Sequence, residues 1–337
     1  MAIGPSSGHV ARRSMLSWLG FTALVGFGVT TPVSRGRRWP NPSRPSRRVC
    51  GSGRRVASPP MTLQGWSNGG HNIMTSAAPF VSLIRRYVLD YLACGDTSVC
   101  DEIMHPDFLL YMGGHELGPR DDVYVPAVAK QMEQFPGLCM TANEVMCNGD
   151  RLALRFSQHG ASMRHDGHQA AWSGIGLYFW DGERLTANWA LEDYYARRRQ
   201  LADRTTNQLE PPAVAPWDEL AETENPANEE LVRTWLRSGN IHGQPHVAFD
   251  DEWDGHLCGP VIEVGETEVG ETTVDDLFSA GNRVAFHMTQ TGTYVGGAGK
   301  DDRLGTPATL RSAGIVTIVD GVIASGRVIR DRSGLFA

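Results

Sequence analysis

From Pro79 onward the chain switches between two hydrophobic periods. "FVSLIRRYVLDYLACGD" places Phe80, Leu83, Ile84, Tyr87, Val88, Tyr91 and Leu92 at helical spacing, and Gly95 ends the helix. "SVCDEIMHPDFLLYM" reads as a short helix, a break at His105-Pro106, then a strand. "GHELGPRDDVYVPAVAKQMEQFP" is a loop followed by an amphipathic helix that stops near Pro136. Three strands follow, in "LCMTANEVMCNGD", "RLALRFSQHGAS" and "WSGIGLYFWDGERLTANWALED", with Asn148-Gly149-Asp150 and Asp181-Gly182 as turns between them. Helices first, then a long antiparallel meander, predict an α+β fold. Helices would cover one face of a curved sheet and leave a cone-shaped pocket.

The second half repeats this order in shortened form. "NEELVRTWLRSG" is a helix. "NRVAFHMTQTGTY" aligns with "DRLALRFSQHGAS", matching Arg283 to Arg151 and Gly292 to Gly160. "GIVTIVDGVIASGRVIRD" aligns with "GIGLYFWDGERLTANWALED", matching Gly314 to Gly174, Ser325 to Ala187, Arg327 to Trp189 and Asp331 to Asp193, with one small gap. The expected organisation is a domain over 77–204, a Pro- and acid-rich linker over 205–227, and a divergent second copy over 228–337. The two copies suit an intramolecular pseudo-dimer or a homodimer.

Residues 1–76 read differently. The first sixty residues carry ten arginines, no lysine and no acid. "SRGRRWPNPSRPSRRVCGSGRRVASPP" has too few apolar groups to offset its ordering entropy. The segment is expected to be disordered or a targeting signal, or to reflect an upstream start, with Met61 and Met74 as alternatives. A cytoplasmic location follows from the rest of the chain, and export or organelle targeting from the arginine-rich segment. The net charge of -7 argues against nucleic acid as the main partner, and no apolar run reaches the length of a membrane span of about 20 residues. Cys50, Cys94, Cys100, Cys139, Cys147 and Cys258 form no CxxC pair and read as reduced thiols.

The residues "YVLDYLACGD", "HPDF", "GDRLALRF" and "GLYFWDGERLTANWALEDYYARRRQL" resemble the SnoaL-like polyketide cyclases, of the nuclear-transport-factor-2-like and ketosteroid-isomerase-like superfamily. The strongest match is Trp189, then Asp193 four residues on, then Gln200-Leu201. The resemblance is good over 79–202 and weak over 228–337. It implies tandem cone-shaped α+β barrels. It also implies cofactor-independent acid/base chemistry, a cyclisation, isomerisation or dehydration, on a hydrophobic polyketide- or terpenoid-like carbonyl substrate, with Asp193 as the acid/base. The alternative is a non-enzymatic small-molecule-binding or protein-interaction domain.

Strand alternation puts Trp189, Leu191 and Asp193 on one face, and Ala190 and Glu192 on the other. An aspartate beside Trp and Leu would have its pKa raised by desolvation and serve as a base. It could equally cap the following helix or pair with an arginine. On "RLALRFSQHG", Arg155, Ser157 and His159 share one face; if that face lines the cavity, Arg155 and His159 would stabilise an enolate oxygen. His115 lies in a glycine-rich loop at the expected mouth. Tyr111, Trp172, Trp189 and Leu191 are expected as walls. In the second copy Arg327 would hold Asp331 as an inert ion pair. No metal is expected, since the pairs His165/His168 and His242/His246 lack further ligands at zinc spacing. No phosphate loop or dinucleotide fingerprint is present.

Overall fold

Pro79 opens the first helix, where its missing N–H costs no intrahelical bond. That helix, α1 (Pro79–Arg86), runs directly into a π-helical turn, Tyr87–Ala93. In order there follow α2 (Cys100–Ile103), β1 (Met104–Met112), β2 (His115–Leu117), a second π-helical turn Arg120–Tyr124, and α3 (Val125–Gln134). Then come β3 (Cys139–Cys147), β4 (Arg151–Ser162), β5 (His168–Trp180), β6 (Leu185–Glu192) and α4 (Tyr194–Asp203). The second half holds α5 (Pro226–Arg237), β7 (Val247–Phe249), β8 (Ile262–Glu263), β9 (Glu271–Ala280), β10 (Arg283–Tyr294), β11 (Pro307–Val319) and β12 (Val322–Arg330). The structure is a computed structural model and describes residues 78–250, 259–265 and 270–336. The expectations for residues 1–76, Cys50 and Cys258 lie outside the described residues.

The strands form two curled sheets, in the orders β2-β1-β6-β5-β4-β3 and β7-β12-β11-β10-β8, with β9 also on β10. β5 and β11 are buried along most of their length, so each sheet needs a cover on both faces. Helices cover one face. In the first half Phe80 stacks on Trp180 with centroids 4.7 Å apart, and Tyr87 meets Tyr178 edge-on at 5.8 Å. In the second half Val232, Trp235 and Leu236 of α5 pack on Phe286, Val316 and Val328. The other face of each sheet is shared. Ala153, Ile175, Leu177 and Leu191 of the first sheet pack with Phe278, Ala285, Ile315 and Ile329 of the second. Thr75–Ala337 is accordingly one compact unit.

Residues 205–225 form a strap rather than a loose link. Ala213 N–H donates to Ala142 O at 3.0 Å, and Glu222 N–H to Cys147 O at 2.9 Å. Arg155 takes Glu210 with both terminal nitrogens, and Arg283 takes Glu219 and Glu222.

Pairing corrects the sequence alignment of the two halves. Gly174 faces Phe156 on one side and Glu192 on the other; Gly314 faces Phe286 and Val328. Both glycines make room for the phenyl ring, since an added Cβ would fall 2.4 Å from the ring at either site. With Gly174 matched to Gly314, Val328 matches Glu192, Ile329 matches Asp193 and Ser325 matches Trp189. Asp331 lies two residues further on, its N–H donating to Arg311 O at 2.8 Å. The alignment had allowed too small a deletion in the second hairpin. Asp331 also differs from expectation in its surroundings. Burial raises its pKa, with Arg311 and Arg198 as the opposing cations, while Arg327 donates to Asp250 O at 3.0 Å.

At the end of the shared face lies a buried chain of charges. Arg332 reaches Asp193 at 2.9 Å and Asp250 at 3.3 Å, and Asp250 pairs with Arg330 at 2.7 Å. None of the four side chains is more than 1% exposed. Replacing one member leaves the others charged without solvent. Arg332→Met is expected to cost about 3–5 kcal/mol, read as a lowered midpoint in urea denaturation of the full chain. A loss below 1 kcal/mol would show the chain of charges to be dispensable.

Candidate functional site

Alternation along β6 sends its two consecutive carboxylates to opposite faces. Asp193 goes to the shared face. It caps α4, accepting from Ala196 N–H at 3.0 Å, and it pairs with Arg332. The expectation that it sits unpaired on a cavity wall is not met. Its apolar neighbour Leu191 is covered by the second sheet, and Trp189 packs against the same core while lining a separate cavity.

Glu192 goes to the helix-covered face and is buried. Trp172 Nε1–H donates to its Oε2 at 2.7 Å, and the nearby Tyr194 hydroxyl donates to Met112 Sδ at 3.7 Å. Burial raises the pKa of Glu192 from its ordinary value; the Trp172 bond, the Arg197 charge and the neighbouring Tyr194 hydroxyl oppose that shift. Arg197 is itself buried, its guanidinium 4.0 Å from the Tyr194 ring and 5.0 Å from the Trp172 ring, and burial lowers its pKa.

Phenols surround this pair. Tyr178 follows from β5, its pKa raised by burial and then by Glu192. Tyr87 and Tyr124 share a 2.6 Å hydrogen bond and come from the two π-helical turns. Such turns are frequent at functional sites because they displace side chains from the regular helical path. Tyr91 OH and Asn188 Oδ1 are buried with no hydrogen-bond partner. Unmet buried polar atoms leave capacity for a polar group of a ligand.

The other expected residues scatter. Trp172 is on the Glu192 side and also lines a cavity of about 410 Å³ beneath the strap, with Ser157, Ser173, Leu209, Glu210 and Arg327. Arg155 is occupied by Glu210 and Glu144 on the opposite face from Glu192, so its expected place beside the reacting oxygen is not met. His159 shares that face, and its Nδ1 is buried without a partner. Leu191 belongs to the core between the sheets. Tyr111, His115 and Trp189 do come together, in a separate cavity at the junction of the halves. Gln200 docks α4 on β5, accepting from Ala171 N–H at 3.0 Å and donating to Ala171 O at 2.6 Å. No group of three His, Cys, Asp or Glu side chains converges among the described residues. No helix among them is long and apolar enough to cross a membrane.

Residues 82–201 match the model of the SnoaL-like polyketide cyclase family. This segment is similar to the SnoaL-like domains. Solved structures similar to it include a candidate polyketide cyclase from Acidithiobacillus ferrooxidans, 20% identical, covering 37% of this chain and 94% of its own, with a TM-score of 0.33. AclR, a candidate hydroxylase from Streptomyces galilaeus, is 17% identical over 36% of this chain and 94% of its own, with a TM-score of 0.32. TsrD from Streptomyces laurentii is 16% identical over 36% of this chain and 92% of its own, with a TM-score of 0.31. No curated protein sequence matches the chain.

Sequence reasoning passed over Glu192, Asn188, Tyr178, Tyr194 and Arg197 of the SnoaL-like domain. One signal pointed to them. On β5, Gly174 and Gly176 alternate on one face with Trp172 and Tyr178, and added Cβ atoms there would meet the Phe156 and Tyr178 rings. Glycine at every second position marks the face that large rings approach closely, and Glu192 lies on that face.

The raised pKa of Glu192 carries a sign. The native state holds its proton at a pH where the unfolded chain has released it. This contribution to stability therefore falls as pH rises from the unfolded value of about 4.3 to the native one. Glu192→Gln is expected to lose that part of the slope in denaturation profiles taken at a series of pH values. Carboxyl-carbon NMR of the full chain, assigned with the same variant, should give a midpoint above the ordinary value; a normal midpoint would contradict the desolvated environment.

Proposed function

We propose that the SnoaL-like domain is a cofactor-independent acid/base enzyme of the cyclase, isomerase or dehydratase type. Its substrate would be a hydrophobic carbonyl compound of polyketide or terpenoid character. The observation that carries the reading is the buried carboxyl of Glu192 among protonated phenols, on the helix-covered face. The role that the resemblance gave to Asp193 passes to its neighbour. An enzyme base works best with a pKa near the working pH, and desolvation moves a carboxyl that way. Glu192 takes a proton from the carbon next to the carbonyl, and the electron pair moves to the carbonyl oxygen. Tyr178 and Tyr194 keep their protons because burial raises both, so each is a donor for the oxygen that gains charge. Glu192 then returns the proton at another carbon, or the enol attacks within the substrate.

One observation favours a second reading. Asp193, the residue that the resemblance makes catalytic, is fully buried and paired. A binding domain that keeps the architecture without the chemistry would show the same.

The two readings separate in deuterium oxide. With 2-tetralone as a hydrophobic carbon acid, the enzyme reading expects loss of the α-proton NMR signal faster than in buffer. Glu192→Gln should slow that exchange by about a hundred- to ten-thousand-fold with binding retained. Binding of the ketone with exchange no faster than in buffer would establish the second reading.

A further inference from the structure

The shared face is open at one edge, where the β1–β2 hairpin meets β9, β10 and β11. A cavity of about 270 Å³ lies there, lined by Tyr111, His115 and Trp189 of the first half and by Asp275, His287 and Arg311 of the second.

A bulge in β9 builds its floor. His287 pairs with Asp276 and Met288 with Val274, which makes Asp275 the extra residue. Simple alternation would send Asp275 and Asp276 to opposite faces; the bulge lets both serve the shared face. Asp276 pairs with Arg151. Asp275 Oδ2 accepts from Thr289 Oγ1 at 2.8 Å and stands 2.8 Å from His287 Nδ1. The imidazole is 2% exposed and lies 4.9 Å from the Trp189 ring, which stacks on Tyr111 at 4.3 Å. With Nδ1–H donated to a carboxylate, neutral histidine presents a lone pair at Nε2. No group among the described residues bonds to that nitrogen.

Arg311 supplies the complementary charge. Its guanidinium lies against Gly114, where an added Cβ would fall 2.3 Å from Nη2. The Gly113-Gly114 turn is therefore what lets the side chain reach the cavity. Arg311 is half-buried and makes no ion pair with a described residue. The cavity thus offers an aromatic ladder, a hydrogen-bond acceptor and a guanidinium that makes no salt bridge with a described residue, although it acts at longer range on Asp331. Asp275 lies inside with its Oδ2 already engaged by His287 and Thr289, and Glu116 at the mouth is exposed to solvent, so Arg311 is the guanidinium that faces the cavity. A guanidinium fork suits a carboxylate, and the volume suits one ring rather than a fused polycycle.

We propose that this junction cavity binds a single-ring carboxylate bearing a hydroxyl group. The ring packs against Trp189, the carboxylate faces Arg311, and the hydroxyl donates to His287 Nε2. Residues from both halves complete the site, and it is independent of the acid/base reading of Glu192.

The probe is 4-hydroxybenzoate, titrated into the full chain with the ring nitrogens of histidine followed by NMR and affinity taken by calorimetry. The expected result is a shift at His287 Nε2, affinity at least tenfold weaker for benzoate, and a tenfold or greater loss in Arg311→Met. In His287→Gln the preference for the hydroxylated acid should shrink. Equal affinity for the two acids in the unaltered protein, no shift at His287 at millimolar probe, or binding untouched by Arg311→Met would each overturn the proposal. The comparison of two acids needs no variant, so a folding defect cannot mask the answer.

Discussion

Arg332 is the side chain on which the arrangement of the two halves depends. Its guanidinium is wholly buried between a carboxylate of the first half, Asp193, and one of the second, Asp250. An ion in that position is tolerable only when its partners are held within reach. The start of α4, the end of β12 and the residue after β7 are therefore fixed relative to one another. The apolar patch beside these charges supplies area without direction; the charges supply register. The strap adds further cross-half contacts through Arg283 with Glu219 and Glu222.

That closure separates the chemistry of two adjacent residues. Asp193 faces an arginine and a helix N-terminus, which stabilise its charge and give it a structural task. Glu192, one residue earlier, faces indole and phenol groups with its charge poorly solvated. The difference comes from alternation along one strand and from what covers each face. The same logic places Trp189 away from Glu192 and beside His287, so an aromatic residue expected as a cavity wall in the first half becomes part of a junction between halves.

The architecture was legible because it depends on period and punctuation. α3, β3, β4, β6, β10 and β12 fall within the expected segments, α1, α5, β5 and β11 begin before theirs, and the α+β layout follows from their order. β9 was not foreseen. "ETTVDDLFSA" is polar at many positions, and its bulge shifts the alternation at Asp275-Asp276, so no single face is apolar throughout. The choice of face was the harder question. Both faces of β4, β5 and β6 are buried, one by helices and one by a sheet that lies more than a hundred residues away in sequence. Apolar neighbours alone could not distinguish a ligand wall from a protein interface, and they directed attention to Asp193. The alternating glycines of β5 carried the information that the hydrophobic pattern lacked.

The corrected register also says why the halves are not equivalent. Where the first has Glu192, the second has Val328, packed with Phe286, Trp235 and Val316 in an apolar core. A valine there neither takes a proton nor needs the surrounding phenols, and Gly314 still admits the Phe286 ring as Gly174 admits Phe156. The strand geometry is thus kept while the polar equipment is absent. The second half retains charge elsewhere, in Arg330, Asp250 and Arg332, and all three serve the buried junction. One half holds the buried carboxyl, and the other holds the arginine that keeps the neighbouring aspartate occupied.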